Sequence, residues 1–333
     1  MKRRINIIVS IILALVTLLL PATYAFAGFV KIGENEVVTE DALLTFELIS
    51  DTHVGANGTA EWFEDGLKKI AESNLNMDAM VISGDLTDHG DSDMIEQFYS
   101  ILDANKPVDT VICATGNHDM GQTSPSAERR AAFINERNSR MGIDSDKIYY
   151  SVDIKGYKFI VLGDEGNGFN TCKLSDEQLA FVDEELKTGA TDGKPTFVIC
   201  HWPMRRNHGA HFLWPIWPGG NLNLSTTNKL MSILKKYDNV FYLSGHLHAG
   251  LNGIRTSLLF KACCVENHDG VTCVNSPSFG KSNRFGVAAK ATGMEFKVYD
   301  DKVVIIGKNY MDNTSYDQYT YTIDLVDPGF SVK

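Results

Sequence analysis

The sequence lacks the short motifs that mark several common hydrolase and nucleotide-binding classes. Its six cysteines include no C-x-x-C pair, so a zinc ribbon is not expected. Neither H-E-x-x-H nor G-x-S-x-G occurs, which leaves a zincin or a nucleophile-elbow hydrolase without support. The run Phe279-Gly280-Lys281-Ser282 ends like a phosphate-binding loop, but Asn275 stands where the first glycine of that motif belongs.

Positive charge is also scarce. The 333 residues carry 31 Lys and Arg against 42 Asp and Glu, a formal net charge of −11. Such acidity disfavours binding to a nucleic-acid backbone, so no nucleic-acid polymer is expected as a partner. Bound metal ions would reverse the sign of the local charge, so the net charge does not exclude a small phosphorylated substrate.

A long hydrophobic run occurs only at the N-terminus, which has the pattern of a signal peptide. Three basic residues precede an apolar run at residues 5–20, Pro21 breaks it, and Ala25-Phe26-Ala27 gives an A-x-A cleavage pattern. We expect removal of residues 1–27, a secreted or extracytoplasmic protein, and no stable membrane span after cleavage. The alternative is an uncleaved N-terminal anchor that faces outside, but the apolar run is shorter than the ~20 residues that span a bilayer.

The cysteines raise the question of disulfides, since the chain is expected to be exported. Cys113 and Cys200 sit in apolar strand-like runs and are interpreted as small buried hydrophobic residues. Cys264 and Cys273 flank the turn-forming residues 267–270. A hairpin centred there would allow a bridge between them, but the sequence does not fix its register.

Strand-like and helix-like segments alternate through the first two-thirds of the chain. Strands are predicted at residues 43–50, 78–83, 110–115, 149–153, 158–162, 196–200 and 240–243. Helices are predicted near residues 60–74, 91–104, 126–140, 175–187 and 226–236. This order predicts a four-layer α/β/β/α sandwich, two mixed sheets packed face to face with helices outside. We expect a single domain over residues 28–333, in which a strand-rich tail at about 253–333 completes the second sheet.

Five strand-like runs end in residues of the types that commonly bind metal ions. The residues at these ends are Asp51 and His53, then Asp85, Asn117 and His201, and finally His246 and His248. The carboxyl ends of strands in α/β sheets point at a shared crevice, so residues far apart in the chain can converge there. Carboxylate oxygen and imidazole nitrogen suit Zn, Fe, Mn and similar ions.

Each cluster alone has an ordinary interpretation. Asp51-Thr52-His53 fits a solvated loop, and Gly116-Asn117-His118-Asp119 fits a turn. His246 and His248 are a stronger signal, because alternate residues of an extended segment face the same side. The repetition of such residues after one buried-type strand after another is what points to a metal site.

The five clusters resemble the sequence blocks of the calcineurin-like metallophosphoesterases, in the order of that family. The matching blocks are Ser50-Asp51-Thr52-His53-Val54-Gly55, Gly84-Asp85-Leu86-Thr87-Asp88, Gly116-Asn117-His118-Asp119, His201-Trp202-Pro203 and Gly245-His246-Leu247-His248. The resemblance covers about residues 43–250 and implies a hydrolase of phosphomonoesters or phosphodiesters. It determines neither the substrate nor the oligomeric state.

The resemblance also implies two transition-metal ions, such as Mn, Fe or Zn, and a role for each matched residue. The ligands of one ion would be Asp51, His53 and His248, those of the other Asn117, His201 and His246, and the bridge between them Asp85. A hydroxide shared by the metals would attack phosphorus, while His118, oriented by Asp119, would protonate the leaving group. Purple acid phosphatases, a branch of this family, carry a tyrosine where this chain has Asp88, so a tyrosinate-bound ferric site is not expected.

Residues 202–221 follow a predicted ligand directly and are rich in Arg, His and Trp. One interpretation is a substrate-binding loop in which Arg205 and Arg206 hold phosphate and Trp202 contacts the organic group. The other is a hydrophobic flap packed on the domain. A non-catalytic metal-binding cell-surface protein of the same fold is the alternative to an enzyme. Catalysis is favoured because His118 and every matched ligand are present.

Overall fold

The structure, a computed structural model, describes most of the chain after the N-terminal region. The described residues are 30–32, 41–73, 76–120, 127–166, 172–205, 207–208, 222–251, 264–283, 287 and 290–327. The predicted signal peptide lies outside them. Within the described ranges, no helix has the length and apolar character needed to cross a membrane.

Five α-helices lie in this described part of the chain, each within a few residues of a predicted helix. They are α1 (Thr59–Ser73), α2 (Ser92–Asn105), α3 (Ala127–Met141), α4 (Asp176–Gly189) and α5 (Leu224–Leu234). Side chains cap two of the starts: Ser175 accepts a hydrogen bond from the amide of Gln178, and Asn223 accepts one from the amide of Thr226. Such caps satisfy amides that have no partner inside the helix and contribute about 1 kcal/mol each.

Thirteen strands in the described ranges form two mixed sheets. They are β1 (Val30–Ile32), β2 (Leu44–Ile49), β3 (Ala79–Ile82), β4 (Val111–Cys113), β5 (Tyr150–Ile154), β6 (Tyr157–Val161), β7 (Thr196–Ile199), β8 (Val240–Ser244), β9 (Val265–His268), β10 (Val271–Asn275), β11 (Thr292–Val298), β12 (Lys302–Asn309) and β13 (Thr314–Asp324). One sheet has the order β1-β13-β12-β11-β2-β3-β4, and the other the order β5-β6-β7-β8-β10-β9. The parallel strands are β2, β3 and β4 in the first sheet, and β6, β7, β8 and β10 in the second.

Three apolar clusters define the layers. The central cluster lies between the sheets and includes Phe46 of the first sheet and Phe197 of the second, whose rings meet edge to face at 4.9 Å. Aromatic pairs of this kind are worth about 0.5–1.5 kcal/mol beyond their buried area. A second cluster packs α1, α2 and α3 on the seven-stranded sheet, and a third packs α4 and α5 on the six-stranded sheet. The predicted α/β/β/α sandwich is confirmed.

The strand-rich tail contributes to both sheets. β9 and β10 extend the six-stranded sheet, whereas β11, β12 and β13 pair antiparallel within the seven-stranded sheet. The return to the first sheet is fixed by β11, in which Phe296 pairs with Phe46 of β2. The tail therefore completes both sheets, rather than the second sheet alone.

The hairpin of β9 and β10 forms where the sequence predicts it, with the two-residue turn Asp269-Gly270. Both turn residues have positive φ, as a type I′ turn requires. Cys264 packs in the central cluster, whereas Cys273 packs in the cluster under α4 and α5. A bridge between them does not form, because the sheet separates the two side chains. Cys113 and Cys200 are buried, as predicted.

Candidate metal centre

The carboxyl ends of parallel strands from both sheets meet at one edge of the sandwich. β2, β3 and β4 of the first sheet run into Asp51, Asp85 and Asn117 respectively. β7 and β8 of the second sheet run into His201 and His246. The loops are tied to each other: the amide of His246 donates to Asp51 Oδ2 at 3.0 Å. The two sheets thus supply one shared site.

The backbone at this edge is unusual. Several residues that the sequence predicts as ligands have φ in the left-handed region, namely Asp51, His53, Asp85, His246 and His248, with φ between 47° and 70°. Such conformations cost about 1–3 kcal/mol each for residues other than glycine, and they persist only where the surroundings enforce them. Their concentration at five predicted ligands is typical of a functional site.

One group of ligand atoms comes from Asp51, His53, Asp85 and His248, whose ligand atoms all lie within 4.8 Å of one another. His53 Nε2 and His248 Nε2 are 3.1 Å apart, and His248 Nε2 is 3.0 Å from Asp51 Oδ1. His53 Nε2 is 3.7 Å from Asp85 Oδ2. The group has the size and the donor types of a metal site.

A second group comes from Asp85, His201 and His246, again within 4.8 Å. His201 Nε2 lies 3.1 Å from Asp85 Oδ2 and 3.2 Å from His246 Nδ1. Asp85 therefore belongs to both groups. Asn117 is beside it, because the amide of the next residue, His118, donates to Asp85 Oδ1 at 2.9 Å.

The electrostatics of the cluster fit cations at its centre. Asn117 Oδ1 is buried and has no hydrogen-bond partner in the described part of the chain, an arrangement that a bound cation would satisfy. Burial lowers the pKa of His53, which favours the neutral, metal-binding imidazole. Burial alone would also lower the pKa of His201, but the carboxylates of Asp85 and Asp51 outweigh it and raise the pKa to about 9.

Neighbouring groups orient two of the imidazoles. His201 Nδ1 donates to the carbonyl of Ser83 at 3.0 Å, which directs Nε2 towards Asp85. His53 Nδ1 is 3.1 Å from Asp88 Oδ1, which directs its Nε2 into the cluster in the same way. Partners of this kind fix the tautomer and the orientation of metal-binding histidines.

Asp119 does not orient His118, contrary to the prediction. Its Oδ1 accepts from the amide of Thr87 at 2.8 Å and its Oδ2 from the amide of Gly116 at 2.8 Å. Because the side chain is buried and both oxygens accept backbone hydrogen bonds, Asp119 ties the loop after β3 to the loop after β4. Burial, with the negative charge of Asp85, raises its pKa to about 6.

The residue beside His118 is Asp88, which stands out in the sequence only because it replaces a tyrosine. His118 Nδ1 donates to the Asp88 carbonyl at 2.7 Å and lies 3.7 Å from its carboxylate. The sequence does contain a signal for this position. Asp85 and Asp88 lie three residues apart in the loop after β3, so both belong to the loop that forms the site.

The predicted substrate loop is described only in part. Trp202 is fully buried and packs against the rings of His201 and His246, so the prediction that it contacts substrate is wrong. Its ring therefore packs against the imidazole rings of two predicted metal ligands. Arg205 is half-buried, and its backbone amide donates to the Thr227 hydroxyl. Arg206 lies outside the described residues, and both arginines stay predictions.

The sequence profile of the calcineurin-like phosphoesterases matches residues 44–250, the stretch that holds every strand end described above. The chain belongs to the calcineurin-like phosphoesterase family. Membership makes it a hydrolase of phosphate esters, and its clustered His and Asp residues fit two transition-metal ions.

This calcineurin-like phosphoesterase has relatives of stated activity. A probable cyclic nucleotide phosphodiesterase of Rhodococcus erythropolis is 27% identical over 270 residues, which cover 77% of this chain and 80% of that protein. A cAMP/cGMP dual specificity phosphodiesterase of Mycobacterium tuberculosis is 28% identical over 244 residues, covering 66% and 67%. A dimetal phosphatase from Danio rerio shares the fold, with a TM-score of 0.62, 16% identity, and coverage of 86% of this chain and 100% of that chain.

Proposed function

We propose that this family member is an exported phosphodiesterase that hydrolyses small phosphate diesters, with phosphomonoesters as weaker substrates. The observation that carries the chemistry is that Asp85 belongs to both groups of ligand atoms. A carboxylate shared in this way can bridge two cations and set the distance between them.

The proposed ligands follow the two groups. Asp51, His53 and His248 would hold one ion, and Asn117, His201 and His246 would hold the other. Bound ions of this kind supply neutralisation of the phosphate charge and a reactive nucleophile derived from water. Asn117 adds an oxygen ligand without adding negative charge, which keeps the site attractive to an anionic substrate.

His118 is the proposed general acid. Its amide is bound to Asp85 and its Nδ1 to the carbonyl of Asp88, so its ring is fixed beside the metal cluster but is not assigned to either ion. In the proposed mechanism, the protonated ring donates the proton on Nε2 to the leaving oxygen of the ester. Protonation by a positioned side chain typically contributes ~10²–10⁴-fold in rate.

The acid role is tested with His118→Asn and two aryl esters of thymidine 5′-phosphate. A p-nitrophenolate leaving group needs little protonation, whereas phenolate needs more. The variant is expected to lose far more rate on the phenyl ester than on the p-nitrophenyl ester, while its metal content stays unchanged. An equal loss on both esters would show that His118 is not the acid.

The substrate class is supported by the relatives, both of which are named as phosphodiesterases of cyclic nucleotides. The test is a panel of bis(p-nitrophenyl) phosphate, p-nitrophenyl phosphate, cAMP and cGMP, each with added Mn, Zn, Fe or Ni. We expect the diesters to be hydrolysed faster than the monoester. Faster hydrolysis of p-nitrophenyl phosphate with every metal would refute the diester assignment.

Export is supported by the basic start, the apolar run and the A-x-A pattern of residues 1–27. We expect the protein recovered outside the cytoplasm to begin at Gly28, as N-terminal sequencing would show. An intact N-terminus in the membrane fraction would favour the anchored alternative instead.

A further inference from the structure

We propose that Lys281 is a positioning residue of the phosphoesterase site, which fixes the carboxylate of Asp88 between His53 and His118. The inference rests on the acid role proposed above for His118. Lys281 belongs to the run 279–282, which ends like a phosphate-binding loop in sequence but has a different place in the fold.

The backbone of this run is bound to the loop after β2, which carries predicted ligands. The amide of Phe279 donates to the carbonyl of Ser50 at 2.8 Å, and the amide of Gly280 donates to the carbonyl of Asp51 at 3.1 Å. A Cβ atom on Gly280 would lie 2.0 Å from the carbonyl oxygen of Thr52, so only glycine fits at this position. The run therefore has a fixed register against the loop after β2, and this fixes the backbone position of Lys281, the next residue.

From that place the ammonium group of Lys281 forms an ion pair with Asp88 Oδ1. The Asp88 side chain is 14% exposed and the Lys281 side chain 33% exposed. A carboxylate that is largely withdrawn from water requires a compensating charge or hydrogen bonds. Lys281 supplies the compensating charge, while His89 Nε2 lies 3.6 Å from the other carboxylate oxygen.

Asp88 in turn contacts both histidines. Its Oδ1 lies 3.1 Å from His53 Nδ1 and 3.7 Å from His118 Nδ1. Removal of Lys281 takes away one of the contacts that hold this oxygen, so the carboxylate is held less firmly, and the ring of His118 loses a fixed neighbour. A misplacement of about 1 Å can lower the rate ~10²-fold. We therefore expect a smaller displacement of the His118 ring to cause a smaller but measurable loss of rate.

The experiment compares Lys281→Met with Lys281→Arg, using the phenyl and p-nitrophenyl esters of thymidine 5′-phosphate. Lys281→Met is expected to lower kcat about tenfold on the phenyl ester and to change it little on the p-nitrophenyl ester, as partial loss of a general acid predicts. Lys281→Arg is expected to restore most of the rate. The matched control is Lys155→Met, since Lys155 pairs with Asp78 at 2.8 Å at the opposite end of β3 and should leave both rates unchanged.

Metal content and thermal unfolding are measured for every variant, and both are expected to match the parent protein. In a His118→Asn background, Lys281→Met is expected to have no further effect, because two residues that act through one group are not additive. A rise in KM with equal rate loss on both esters would overturn the inference, because Lys281 would then bind the substrate phosphate directly. A further loss of rate when Lys281→Met is added to His118→Asn would overturn it as well.

The outcomes separate this inference from the proposed function. Leaving-group dependence in His118→Asn but not in Lys281→Met would overturn the positioning role and leave the acid role standing. Its absence from both variants would overturn the acid role, and the positioning role with it.

Discussion

Replacing Gly116 with alanine should damage the metal site without altering any ligand. A Cβ atom at Gly116 would lie 2.1 Å from Asp85 Oδ1 and 2.4 Å from the Asp85 backbone nitrogen, whereas real Cβ contacts are essentially never shorter than 3.0 Å. The carboxylate would have to move by about 0.9 Å to reach that limit. A shift of this size in a catalytic group costs about 10²-fold in rate, and overpacking costs ~1–3 kcal/mol of stability.

The assay measures kcat on bis(p-nitrophenyl) phosphate, metal content by mass spectrometry, and stability by urea unfolding. Gly142→Ala is the control, because a Cβ there has nothing within 4 Å and Gly142 has φ +65°. The control is expected to lose a similar amount of stability, about 1–2 kcal/mol from the left-handed backbone, and to keep full turnover. A Gly116→Ala protein with normal metal content and normal kcat would refute the close packing against Asp85.

Three further results are expected. Asp85→Ala should abolish turnover and lower the metal content below two ions per chain; retention of both ions would contradict its bridging role. Metal uptake by the metal-free protein at pH 7 should release a proton, because His201 has a pKa of about 9 and must lose its proton to bind. Calorimetry in buffers of different ionisation enthalpy detects that proton, and a buffer-independent enthalpy would argue against it. Tyr310→Phe removes the hydroxyl that donates to buried Glu47, so urea unfolding should show a loss of about 1–3 kcal/mol with turnover unchanged; equal stability would contradict a contribution from this bond.

The sequence predicts the fold and the convergence of the site well because both follow from local patterns. Apolar strands that run into polar residues predict the edge of a parallel sheet, and Asp51, Asp85 and His201 lie at that edge. The helix predicted at 60–74 is observed at Thr59–Ser73, since its apolar residues recur with helical spacing.

Features that depend on distant register are the ones the sequence does not reveal. Lys281 and Asp88 are 193 positions apart, and their contact follows from how the run 279–282 pairs with the loop after β2. Trp202 follows a predicted ligand in a loop rich in aromatic residues, so its sequence context suggests a side chain exposed to substrate. In the structure it is buried in the apolar cluster under α4 and α5. Asp119 adjoins His118 in the chain, but the turn directs its carboxylate to the amides of neighbouring loops.

Anomalous diffraction from crystals of the metal-loaded protein tests the central claim most directly. Two metal peaks are expected, one on either side of Asp85, the first contacted by His53 and His248 and the second by His201 and His246. A single peak, or peaks that do not contact Asp85, would contradict it.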